Sequence, residues 1–138
     1  MSKLARLSFT IEEDLMKKML RLMKRAHFKN RSEFIRDLIR SRLVELEWER
    51  DAEAIGTITL IYDHETRRLS DKLTQLQHKH HNAVLATTHV HLDDHLCAEM
   101  IMVKGRAHVI QDLSELLGQQ KGVLHSSLSM GSTGKQLK

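Results

Sequence analysis

The sequence predicts an α+β protein in two parts, a βαα segment followed by a βαββαβ unit, and three observations carry that expectation. Residues 1–50 alternate briefly and then turn to helical spacing, residues 51–131 break into β-branched runs separated by two helical stretches, and charge divides at the same place. Residues 1–50 carry 13 Lys/Arg against 8 Asp/Glu, a net of +5, whereas residues 51–138 carry 9 against 10, a net of −1. Nine of the ten histidines lie in the second part. The first part therefore suits a polyanion, and the second suits imidazole chemistry.

The first element is "ARLSFTI", in which Leu7, Phe9 and Ile11 alternate with Arg6, Ser8 and Thr10, as in a half-exposed strand. Thr10 followed by Glu13 has the spacing of a capping box, and Leu15, Met19, Leu22 and Met23 continue as a helix to about Ala26. After a turn at "HFKN", Asn30 with Glu33 repeats the cap pattern. Phe34, Ile35, Leu38, Ile39, Leu43 and Leu46 then carry a second helix towards Glu49. The strand has no partner in its own chain, so its edge calls for a second copy. Two copies form an antiparallel ribbon that presents Arg6, Ser8 and Thr10 on one face, and a two-stranded ribbon fits the major groove of DNA.

Beyond the charged "ELEWERDAEA" connection, the expected order is strand 56–62, helix 66–79, strand 83–91, strand 97–104, helix 107–118 and strand 122–130. That is the split ferredoxin-like arrangement. The boundaries expected are 1–50 for the first domain, 51–131 for the second, and 132–138 for a polar, disordered tail.

At 138 residues, two small domains each bury little surface, which favours oligomers. No run approaches the roughly twenty apolar residues of a membrane span, and the start lacks the apolar stretch of a signal peptide. With one cysteine, Cys97, an internal disulfide is impossible. The expectation is a cytoplasmic protein without a membrane partner. No glycine-rich phosphate loop or nucleophile motif appears, which argues against an enzyme.

The densest chemistry lies in "TTHVHLDDHLC", residues 87–97. On a strand His89 and His91 share a face. Cys97 joins them only if an odd-numbered hairpin loop pairs it with His91, leaving Asp93, Asp94 and His95 at the tip. Two imidazoles and a thiolate suit a transition metal rather than calcium or magnesium. A fourth ligand is required, and "QHKHH" offers His78, His80 and His81, from the same chain or from a neighbour.

With these residues in view, the chain resembles the nickel-responsive transcriptional regulators, the NikR family, along nearly its whole length. The likeness rests on "RLSFTI", "NRSEFIRDLIR" at 30–40, "YDHE" at 62–65, "TQLQHKHH" at 74–81, "THVHLDDHLC" at 88–97 followed by Glu99, and "KG" at 104–105. The first part alone resembles any ribbon-helix-helix repressor. Lys79 departs from some relatives, which carry a histidine there.

The resemblance implies a homotetramer, a dimer of dimers, in which intertwined ribbon-helix-helix dimers flank ferredoxin-like (ACT-type) metal-binding domains. It implies one Ni(II) per subunit, held by His89, His91 and Cys97 of one subunit and His78 of another, with Glu99 as a supporting neighbour. A planar set of three imidazoles and a thiolate suits Ni(II) better than Zn(II). A weaker cation position corresponds to Glu33 and Asp37. Arg6, Ser8 and Thr10 correspond to base-reading residues on double-stranded operator DNA, and Asn30, Arg31 and Ser32 stand where amides can hold a phosphate. The function implied is repression of nickel-uptake genes. The alternative is a repressor responding to another transition metal, or to a small molecule at the ACT-like core.

Overall fold

A computed structural model describes residues 3–138. The chain divides into two compact units, residues 3–43 with Gln136–Lys138 and residues Val44–Lys135. The division thus falls inside the second helix rather than after residue 50.

In the first unit, α1 runs over Glu13–Arg25, and α2 begins at Arg31 and continues to Glu49. Acidic Glu13 and Asp14 open α1 and basic Lys24 and Arg25 close it, which complements the helix dipole. The cap of α1 departs from expectation. Glu12, not Thr10, precedes the helix, and no side chain caps it. Asn30 does cap α2, its Oδ1 accepting the Glu33 N–H at 2.8 Å. The segment of Leu7, Phe9 and Ile11 forms no strand within this chain, because a strand needs a neighbour to complete its ladder.

Burial in this unit is sparse. Met23 and Phe34 are buried, with Phe28 set edge-on against Phe34 at 5.5 Å between centroids. Phe9, Leu15, Met19, Leu22, Ile35 and Leu38 line an open apolar groove.

The second unit follows the order β1 (Glu53–Asp63), α3 (Leu69–Lys79), β2 (Val84–His91), β3 (Leu96–Arg106), α4 (Ala107–Gly118), β4 (Val123–Met130). This is the expected βαββαβ succession. Its sheet is ordered β2-β3-β1-β4, with every pair antiparallel. Alternate residues Ile58, Leu60, Tyr62, Ile101 and Val103 join Leu69, Leu73 and Leu76 of α3 and Ile110, Leu113 and Leu117 of α4 in one core. Gly56 permits the close approach of α4, since a Cβ there would lie 2.9 Å from Ile110 Cγ2.

Helix α3 starts three residues later than the pattern suggested. The preceding turn closes on itself through Thr66 N–H to Asp63 O at 3.1 Å and Leu69 N–H to Thr66 O at 3.2 Å, with Arg68 at φ 64°. The tail after β4 is tied down at its start instead of fraying there. Trp48 Nε1–H donates to Gly131 O at 2.9 Å, Gly131 N–H donates to Ile55 O at 2.7 Å, and Lys135 pairs with Glu53 at 3.2 Å.

Candidate metal centre and nucleic-acid face

Strand β3 lies between β1 and β2, and its register assembles the centre in two cross-strand rows. Tyr62, Cys97 and His91 form one row, and Leu60, Glu99 and His89 form the next. Because side chains two apart share a face, all six project to the side that carries the core. Cys97 and Glu99 are buried there, whereas His89 and His91 stand exposed on the edge strand. The hairpin loop is odd, as the sequence required: His91 pairs with Cys97, Leu92 N–H donates to Leu96 O at 2.8 Å, and Asp93, Asp94 and His95 form the tip.

Cys97 Sγ contacts His91 Nδ1 at 3.3 Å. The rings of His89 and His91 are 5.2 Å apart, and His64 meets His91 edge-on at 5.4 Å. His64, His91 and Cys97 each bring a ligand atom within 4.8 Å of the others. His64 is the residue that reasoning on the histidine motif missed. Its signal is register: Asp63 pairs with Leu96 at the end of β1, which leaves residue 64 beside the hairpin's mouth.

Burial pushes the Cys97 thiol above its ordinary value of 9.0, and the carboxylates of Asp63, Asp93 and Glu99 push it the same way. A cation reverses that preference. Burial, reinforced by Glu99, likewise pushes the Tyr62 phenol up to about 12. Glu99 is only 7% exposed, and among the described residues its Oε2 has no hydrogen-bond partner. A buried carboxylate in that condition is costly unless something donates to it. The donor set and the orphaned carboxylate together fit a bound transition metal whose imidazole ligands are supported from behind.

Of the three histidines ending α3, His80 and His81 turn their Nδ1 atoms back towards the carbonyls of Leu76 and His78, at 2.9 and 3.2 Å. That is the ordinary role of histidine at a helix end. His78 is exposed and lies outside the His64–His91–Cys97 group.

In the first unit, Arg6, Ser8 and Thr10 are exposed. Asn30, Arg31 and Ser32 are exposed at the start of α2. Glu33 pairs with Arg36 one turn along, and Asp37 is exposed. Glu33 is thus engaged in an ordinary helix-surface pair, and the structure gathers no cation-binding group around these two acids among the described residues.

Comparison with known proteins agrees with this division. Residues 5–46 match the profile described as ribbon-helix-helix protein, copG family, and residues 55–131 match the NikR C terminal nickel binding domain. Proteins named provisionally as nickel-responsive regulators are 46% identical in Geobacter sulfurreducens and 44% in Geobacter metallireducens, each match covering 99% of both chains. One from Solibacter usitatus is 42% identical over the full length of both. A solved structure of an uncharacterized protein from Thermotoga maritima superposes with a TM-score of 0.51 at 16% identity, covering 56% of this chain and 96% of that one. That likeness concerns the fold alone. No described helix is long and apolar enough to cross a membrane. The matched relatives are regulators rather than enzymes, and the same holds here. The chain belongs to the nickel-responsive regulator family, with a DNA-binding ribbon-helix-helix region followed by a nickel-binding domain.

Proposed function

We propose that this protein is a cytoplasmic repressor of nickel-uptake genes, active on operator DNA when each subunit of a homotetramer holds one Ni(II). His89, His91 and Cys97 of one subunit and His78 of another are the ligands. The observation that carries this reading is the pair of rows that sets His91 against Cys97 and His89 against the buried Glu99. Glu99 accepts from a ligand imidazole, fixing its ring and tautomer. His64 stands beside the same pocket and shields the thiolate side.

Nickel supplies a cationic cross-link between subunits and stabilises the deprotonated thiol. Cys97 must give up a proton, and the imidazoles must be neutral, so nickel affinity rises with pH. Supplying His78 from a neighbour makes binding depend on assembly. An arrangement of subunits that brings all four donors together is favoured, and repression follows if that arrangement is the one that fits the operator.

On the DNA side, two chains pair their N-terminal segments into the ribbon. Arg6, Ser8 and Thr10 read base edges, while the amides of Asn30, Arg31 and Ser32 hold a phosphate at the N-terminus of α2.

The decisive experiment measures promoter-DNA binding by the reduced, metal-stripped protein with Ni(II), Zn(II), Cu(II) or no metal, with absorption spectra of the same samples. The expected result is tight binding with nickel and a thiolate-to-nickel band that disappears in Cys97→Ala. Equal DNA binding in all four samples would leave a metal-independent repressor. Preference for another ion would reassign the sensor.

A further inference from the structure

A second group of metal-ligating side chains stands apart from the Cys97 pocket, where the hairpin tip meets the end of β1. One carboxylate oxygen each from Asp63 and Glu65 and one imidazole nitrogen of His95 lie within 4.8 Å of one another. We propose that these three residues form a second, weaker site for a divalent first-row transition cation, built within a single chain. Two carboxylates and an imidazole make a nitrogen–oxygen set without sulfur. Such a set accepts Mn(II), Co(II) or Zn(II) without the selectivity for soft ions that a thiolate imposes.

Protein hydrogen bonds bring the three together from segments 30 residues apart. Asp63 ends β1 opposite Leu96, and its Oδ1 accepts the Glu65 N–H at 2.8 Å, folding Glu65 back beside it. His95 is drawn in by its carbonyl, which accepts the His64 N–H at 3.0 Å and the His64 Nδ1–H at 2.8 Å. Asp93 Oδ1 accepts the N–H groups of His95 and Leu96 at 2.8 and 2.7 Å, so this carboxylate shapes the turn and is not counted as a ligand. The His95 ring then reaches Glu65 Oε2 at 3.2 Å.

The donors are therefore positioned by the fold, and little further ordering opposes cation binding. Charge adds to the case, because Asp63, Glu65, Asp93 and Asp94 concentrate negative potential around His95. The competing reading is a plain surface ion pair between Glu65 and His95, which are 62% and 63% exposed. That reading gives Asp63 no part and expects no bound metal.

This site contains none of His78, His89, His91 or Cys97, so it stands or falls separately from the nickel assignment. The test is titration of Mn(II) alone into the full-length, reduced, metal-stripped protein, followed by loss of the free-ion electron paramagnetic resonance signal. The expected result is one bound Mn(II) per chain. Glu65→Gln and His95→Gln should each weaken it about ten-fold or more, and Cys97→Ala should leave it unchanged. Both substituted side chains are exposed, and circular dichroism checks that the variants remain folded. Absence of bound Mn(II), equal binding by the wild type and both variants, or loss of binding in Cys97→Ala would overturn the proposal. Retention of the nickel–thiolate band in Glu65→Gln and His95→Gln is the expected companion result.

Discussion

The two units differ in how much of their own core they complete. In residues 3–43 only Met23 and Phe34 are buried among the apolar side chains, while Leu7, Leu15, Leu22, Leu38 and Ile39 are all at least half exposed. The unit Val44–Lys135 closes Ile58, Leu60, Ile101, Leu113 and Leu117 to 1% exposure or less. What the second unit leaves open is polar instead: the edge bearing His89 and His91. An unfinished apolar face in one unit and an unfinished ligand set in the other both specify a partner, and in each case another copy of the same chain supplies what is missing.

Core truncation is the largest test of this contrast. Leu113→Ala removes a side chain enclosed on all sides and is expected to cost about 2–5 kcal/mol, read as a lower urea midpoint at unchanged slope. Phe9→Ala is the informative counterpart. Phe9 is 55% exposed in one chain, and an ordinary surface change stays within about 0.5 kcal/mol. If a second copy covers the groove, the loss is instead about 1.5–3 kcal/mol, it depends on protein concentration, and sedimentation shows weaker dimers. A small, concentration-independent effect would mean that the first unit is complete alone.

Acid sensitivity separates the units in another way. Asp51, a non-glycine at φ 55°, accepts both the backbone N–H and the ring Nδ1–H of His108, each at 2.8 Å, at the start of α4. Those hydrogen bonds, the His108 backbone one foremost, hold its carboxyl below the ordinary 3.8, with the Arg106 charge adding to the effect. A carboxyl with a lowered folded pKa stabilises the protein fully above its unfolded value and loses that contribution as pH falls through the folded one. Stability of the second unit is therefore expected to decline below about pH 4. Asparagine tolerates the left-handed backbone and can still accept one N–H, so Asp51→Asn should flatten this acid limb. Urea midpoints collected down the acid range for both proteins decide it, and parallel curves would remove Asp51 from the linkage.

Much of this architecture was legible because it rests on local periodicity. Alternation along β2 and the odd loop demanded that His91 face Cys97, and a period of two leaves no other register that keeps both on the core side. The Asn30–Glu33 cap was legible for the same reason, since it is satisfied within four residues. Thr10 misled because it precedes α1 in a segment whose structure depends on another chain. The start of α3 was hidden by a turn that saves its own hydrogen bonds between Asp63 and Leu69. His64 and the Asp63–Glu65–His95 group could not be read at all without the pairing of β1 with β3, a contact between segments about thirty residues apart. The first residues of the tail look unstructured in composition, yet Gly131 and Lys135 find partners at the start of β1.

The smallest expected effect on stability tests the largest assumption about the DNA face. Asn30 caps α2 through its Oδ1, and it stands where the helix offers free amides to an anion. Asn30→Ala removes the cap and is expected to cost about 1 kcal/mol, which mixes a folding defect with any loss of binding. Asn30→Asp avoids that confusion. The carboxylate still accepts the Glu33 N–H, and a negative charge there interacts favourably with the helix dipole by about 0.3–1 kcal/mol, so the unit folds at least as well. A phosphate brought to the same amides, however, would meet that charge. The expected outcome is an unchanged or slightly higher urea midpoint together with weaker operator binding, and a comparable loss on unrelated duplexes, because phosphate contacts carry no base information. Full-strength DNA binding by Asn30→Asp would move the phosphate contact away from the start of α2 and leave Asn30 with a capping role alone.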